Sequence, residues 1–422
     1  MADAPQQATD EQTLKPRGKI RPFASLAYPQ YRLMVIGFVV GFIGFQFRQV
    51  TNLWLVWRLT ENPLYLAGIG AFQFLPMVFF GIVGGAYADA FDRRKLLIVT
   101  QSLNLAIAGV LAALVFTNQI APWHLFLTTF VTGAVNSFEG PARMTVIPRI
   151  VPRDLFMNAI TINSSARHFA MLFGPVGAGA LIAFAGAGWT YAANAVFFIP
   201  SIYAFTRLAP MPAEPNLSGR PRMSAGNLLE GFKYVWSTHV IIALILVDLA
   251  AMLFGNWRVL LPVFADDVLR VGPTGFGLML SAPAVGFLIG SGLLLWAGDI
   301  RRKGLLVVLT VVGYAAGMAL FSISHTFAFS IGLLVIIGGF DGVGAIVRQT
   351  VLQLRVPDEL RGRATAVLQM SNRGAPSLGF IVLGSMAASL TAPSALLIGS
   401  AITMAVAIGV TLLWREVIEY EG

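Results

Sequence analysis

Cysteine is absent from all 422 residues, which excludes disulfides and thiolate metal sites. Histidine is scarce, and His124, His168, His239 and His325 are too scattered for a metal centre. Charge is the third shortage. Only 12% of residues are Asp, Glu, Lys or Arg, against about a quarter in a soluble domain. Hydrophobic residues make up 56% and mean hydropathy is +0.74, so the chain is a membrane protein. No Gly-x-x-x-x-Gly-Lys-Ser/Thr is present, and no Gly-x-Gly-x-x-Gly follows a strand. An enzyme is therefore not expected, nor a cofactor, and any work must draw on an ion gradient, protons first.

What the chain does have is long apolar runs. Residues 64–83, 96–138, 171–206, 274–298, 304–340 and 374–414 carry no Asp, Glu, Lys or Arg, and several would hold two spans of ~20 residues. With their Pro, Gly and Asn breaks they predict an all-α membrane protein of twelve transmembrane helices. These fall near 32–59, 64–88, 95–117, 121–147, 156–186, 188–207, 238–264, 274–297, 304–323, 326–353, 363–390 and 393–414. The Pro-, Gly- and Ser-rich connection 208–237 divides them into six-helix bundles, 31–207 and 238–415. Residues 1–30 and 416–422 are tails; the first lacks an apolar h-region and reads as disordered rather than as a signal peptide.

With both termini in the cytoplasm, 21 of the 29 Lys and Arg lie on that side, two (Arg58 and Arg270) outside and six within spans. That is the positive-inside asymmetry. Trp54, Trp57, Trp123 and Trp189 near outer ends, and Trp236, Trp296 and Trp414 near inner ends, predict aromatic belts. The net charge of +9 is then a matter of topology, and no basic domain points to nucleic acid. The expected partners are the bilayer and a small-molecule substrate, for a monomer in a bacterial-type inner membrane.

The two halves resemble each other. At a shift of 205, Arg143, Thr145, Val146, Val151, Pro152, Leu155, Ala159, Ala170, Gly174 and Gly179 meet identical residues in the second half. Parallel repeats of this kind are used by transporters that rock two bundles about a midplane site.

Three stretches add a family likeness: "GGAYADAFDRRK" after the second span, "LFGPVGAG" in the fifth, and "GPARMTVIPRIVPRDLFMNA". With the repeat, they resemble the major facilitator superfamily, and within it the enterobactin-exporter and macrolide-efflux branch, over residues 30–415. The resemblance implies that Gly85, Asp89, Arg93 and Arg94 form a cytoplasmic lock, although Ala90 and Asp92 depart from the usual pattern. The alternative for these basic residues is topology alone. It also ties Gly174, Pro175 and Gly179 to an antiporter signature, with Ala178 in place of a glycine; close helix packing is the plainer reading.

Charges at membrane depth cost at least ~2.5 kcal/mol each. The arginines sort by the repeat: Arg143 with Arg348, Arg167 with Arg373, Arg48 with Arg258. Arg143 and Arg348, near inner span ends, are expected to gate or brace. Arg48, Arg167, Arg258 and Arg373 are candidates for a substrate cavity, favouring an anionic or catecholate-like solute, while many Phe and Met leave a hydrophobic drug open. The acids Glu139, Asp248 and Asp341 have no acidic twin, which marks them as candidates for proton coupling. Glu139 and Arg143 share a helix face, so the arginine would hold the carboxylate in one state and free it in another. A permanent ion pair is the alternative.

Together these features lead us to expect a secondary transporter exporting a siderophore- or drug-like solute in exchange for protons by alternating access. An uptake symporter is the alternative, and a non-transporting membrane receptor the reading from another class.

Overall fold

The structure, a computed structural model, describes residues 22–211, 236, 239–298, 300–356 and 358–414, without the side chains of 82–90, 141, 144, 239–240, 358–371 and 373. Its first half holds α1 (Pro29–Thr60), α2 (Pro63–Ala90), α3 (Arg93–Phe116), α4 (Pro122–Ile150), α5 (Phe156–Ala185) and α6 (Ala187–Thr206). The second holds α7 (His239–Phe254), α8 (Gly272–Ala297), α9 (Lys303–Ser322), α10 (Phe327–Arg355), α11 (Asp358–Ser389) and α12 (Ala392–Leu413). No strand occurs among the described residues. Proline opens α1, α2 and α4, where its missing N–H costs nothing. Glu61, at φ 46°, ends α1 in the left-handed region.

Packing repeats six helices on. In the first half α2 packs on α4 and α3 on α6; in the second α8 packs on α10 and α9 on α12. Between halves, α5 meets α8 and α11 meets α2. Glycines let backbones touch at both seams. Gly179 lies against the Pro273 carbonyl and the Gly277 backbone, Gly277 against the Pro175 carbonyl, and Gly384 against Ala67. Pro175 and Gly179 of the Gly-Pro motif are thus part of the α5–α8 seam, while Gly174 lies against Gln46 of α1.

Among the described residues, nine helices are long and apolar enough to cross a membrane. The helices α4, α6 and α11 are not among them. For α6 the reason is chemical: the buried Tyr191, Asn194 and Ser201 lower its hydropathy, as His124, Asn136 and Glu139 do on α4. Ser201 donates to the Gly37 carbonyl at 2.7 Å, and Asn194 donates to that of Gly44, so α6 is bonded to the α1 backbone.

Two expectations change. The seventh span is not one helix from 238 to 264. It stops at Phe254 and resumes as short turns from Trp257 to Val268, because Gly255 and Asn256 break it. Tyr314 donates to the Gly255 carbonyl and Asn256 donates to that of Pro376, both at 2.7 Å, which satisfies freed groups. The belt also loses two members. Trp123, Trp189, Trp236 and Trp296 are exposed, but Trp54 and Trp57 are buried. Trp54 stacks on Phe276 of α8, and Trp57 donates to Asp266 at 3.1 Å.

Candidate functional site

A cavity of about 170 Å³ lies within the first half, lined by α1, α3, α4 and α6. Among the described residues its walls belong to the first half, whereas the repeat led us to expect a site between the two. On α1, Phe38, Phe42 and Phe45 follow helical spacing; successive ring centroids are 5.6 and 5.7 Å apart. Phe198 of α6 adds a fourth ring. On α3, Gln101 and Asn104 stand one turn apart, and α4 supplies Asn136, Glu139 and Arg143.

Charge sits at both ends of the ring ladder. The Arg143 guanidinium lies 4.0 Å from the Phe38 centroid, and that of Arg48 lies 5.7 Å from Phe45. Arg48 is 3% exposed and donates to Asn104 Oδ1 at 3.0 Å. Glu139 stands within electrostatic reach of both arginines and accepts a hydrogen bond from Gln101. The expected Glu139–Arg143 neighbourhood is therefore present, with Arg48 as a further cation. A polar chain continues from there: Tyr191, near Arg48, donates to Asn52 Oδ1 at 2.6 Å.

The second half differs. Arg348 forms an ion pair with Asp248 at 2.8 Å, both buried. With Asp341, Thr310 and Tyr314 they line a space of only about 20 Å³. Arg258, the sequence twin of Arg48, is exposed, its guanidinium 5.5 Å from the Trp257 ring. The break in the seventh span puts it on a turn instead of in a helix, so the pairing of Arg48 with Arg258 does not extend to their surroundings. Arg167 is exposed on α5 beside His168, which stacks on Phe287 of α8.

Of the lock motif, the side chains of Gly85 and Asp89 lie outside the described residues, as does that of Arg373. Asp92 caps α3, accepting from the backbone of Arg94 at 2.9 Å and of Lys95 at 3.3 Å. This departure from the family pattern thus has a local role. The buried Arg93 accepts the turn of the chain, its N–H donating to the Met211 carbonyl, and Arg94 donates to that of Thr206.

Sequence reasoning missed the ladder and Gln101. The i, i+4, i+7 spacing of Phe38, Phe42 and Phe45 was the available signal, as was the i, i+3 pair of amides on α3.

The chain matches the family described as transmembrane secretion effectors over residues 20–419. It is 23% identical over 342 residues to the enterobactin exporter EntS of Shigella boydii serotype 4, covering 79% of this chain and 80% of that one. It is 25% identical over 317 residues to the Escherichia coli (strain SMS-3-5) exporter of the same name, with 74% of each chain covered. In fold it is similar to the nucleoside transporter NupG, with TM-score 0.71 at 14% identity over 92% of this chain and 99% of that one. A peptide transporter POT gives TM-score 0.73 at 11% identity, covering 93% and 95%.

Proposed function

Because the chain belongs to the transmembrane secretion effectors of the major facilitator superfamily, we propose that this secondary transporter is an exporter driven by protons. It carries a siderophore- or drug-like organic solute out across the bacterial inner membrane by alternating access. In this reading α4, α6 and α11 also span, giving twelve helices in two six-helix repeats with both termini cytoplasmic. The names of the EntS relatives support the direction and the solute class.

Glu139 carries the proposal. It is a carboxylate on the cavity wall between two arginines, with an amide donor from Gln101. Proton binding turns this group from an acceptor into a donor and removes the counter-charge of Arg48 and Arg143. The cavity then holds proton and solute on different terms, and exchange follows from that competition. Among the described residues the halves meet at the end assigned to the outside, through Arg58–Asp266 and the glycine seams, which supports reading the state as facing the cytoplasm.

Proteoliposomes with an imposed pH gradient provide the test. Glu139→Gln cannot titrate; solute binding and uncoupled exchange persist while pH-driven accumulation is lost. Full coupling in Glu139→Gln, with loss in Asp248→Asn or Asp341→Asn, would refute the role of Glu139. Absence of flux in the unmodified protein would refute transport.

A further inference from the structure

The small space of the second half, about 20 Å³, stands at the same place in the repeat as the ring-lined cavity of the first. Helices α7 and α9 begin 210 residues after α1 and α3, and α10 begins 205 after α4. At those shifts Asp248, Tyr314, Asp341 and Arg348 occupy the places of Phe38, Asn104, Asn136 and Arg143 on the first cavity's wall. A ring and an amide have given way to carboxylates, and a second amide to a phenol.

The oxygens around this space are acceptors toward it. Thr310 donates to the Val307 carbonyl and Tyr314 to that of Gly255, both at 2.7 Å, so neither hydroxyl keeps its proton for the space. Arg348 is bonded to Asp248 Oδ1 at 2.8 Å, and the pair is buried. Asp341, within electrostatic reach of Asp248, has no hydrogen bond or ion pair among the described residues. Two carboxylates against one guanidinium therefore leave a negative charge in excess among the described lining. Such a charge is tolerated inside a protein where it is paired or coordinates a metal ion. Met252, Val311 and Phe340 close the apolar side, and about 20 Å³ holds one particle of water's size while excluding an organic solute.

We propose that this space binds a single monovalent cation of the size of Na⁺. Its ligands are the Asp341 carboxylate, the second oxygen of Asp248, and the hydroxyl oxygens of Thr310 and Tyr314. Oxygen ligands of this kind suit a hard cation. A divalent ion would set an unmatched positive charge beside Arg348, and K⁺ is too large for the volume. The ion would join α7, α9 and α10, and its binding requires neither the solute nor the gradient that drives it.

Equilibrium dialysis of the purified full chain against radioactive Na⁺ tests this, in detergent, with choline as the replacement cation. An alkaline buffer keeps protons from competing for the ligands. Binding saturates at a single Na⁺ per chain, and K⁺ competes at least ~10-fold less well. The same titration raises the Tm, because the ion binds the folded chain. Thr310→Val keeps the shape, removes one oxygen and weakens binding ~10-fold. Asp341→Asn removes the excess charge: its Tm in choline rises toward that of the unmodified protein in Na⁺, while its response to Na⁺ disappears. The proposal is overturned by absence of saturable binding, by K⁺ binding as well as Na⁺, or by an undiminished Na⁺ response in Asp341→Asn. Proton-driven flux in a protein that binds no Na⁺ would leave the exporter reading intact and sink this one. Saturable Na⁺ binding without any flux in proteoliposomes would do the reverse.

Discussion

Arg143 and Arg348 occupy the same place in their halves, with different groups facing them. Phe38 offers Arg143 a ring face at 4.0 Å, while Asp248 offers Arg348 a carboxylate at 2.8 Å. By the offset of 210 that relates Arg48 to Arg258, Asp248 is the counterpart of Phe38. The first half thus sets its cation on a ring face with Glu139 in electrostatic reach, and the second pairs it directly with a carboxylate in a closed space. Removing one partner of a buried ion pair strands the other's charge and costs about 3–5 kcal/mol, whereas a cation–π contact is worth about 0.5–2 kcal/mol. Asp248→Ala is accordingly expected to lower the Tm of the purified protein well beyond Phe38→Leu. Equal losses by differential scanning would show that the two arginines are braced alike.

At the scale of the element, the seams set what the helices tolerate. A side chain at Gly277 would run into the Pro175 carbonyl, whereas Gly292, on the same helix α8, has nothing within 4 Å of an added Cβ. Gly277→Ala should cost about 1–3 kcal/mol as overpacking and slow transport, and Gly292→Ala should leave Tm and transport rate unchanged. Comparable effects of the two would mean the seam has room to yield. The helices themselves were legible because lipid imposes long apolar runs, so α10 and α12 fall within a few residues of expectation. What a run cannot reveal is which side of it faces protein. Trp54 and Trp57 read as belt residues by position yet pack across the seam. Asp248 and Arg348 are a hundred residues apart, and no spacing rule joins them. The repeat predicted equal surroundings for Arg48 and Arg258, but two residues, Gly255 and Asn256, undid the helix under one of them.

At the scale of the whole molecule, Asp266 fastens the halves. One of its oxygens accepts from Arg58 at 3.0 Å and from Trp57 at 3.1 Å, both on α1. The exposed ion pair alone is worth about 0–1 kcal/mol, and the indole bond adds about 1 kcal/mol. Asp266→Ala should then raise the population opened at that end by roughly tenfold. A cysteine at the buried Ala265 reports this against no background, since the chain has none of its own. Its labelling by an impermeant maleimide should quicken about tenfold in Asp266→Ala, and an unchanged rate would mean the fastening lies in the glycine seams. The ring-lined cavity has a different bearing on the cycle, because its wall residues, among the described ones, lie between Gly37 and Phe198. A pocket contained in one rigid half travels with it undeformed, and its occupant keeps the same contacts whichever way the molecule faces. Such an occupant has equal affinity for both orientations and so biases neither. In the proposed exchange the direction of pumping then comes from the proton gradient acting through Glu139 on the cavity wall, and the solute rides as a passenger.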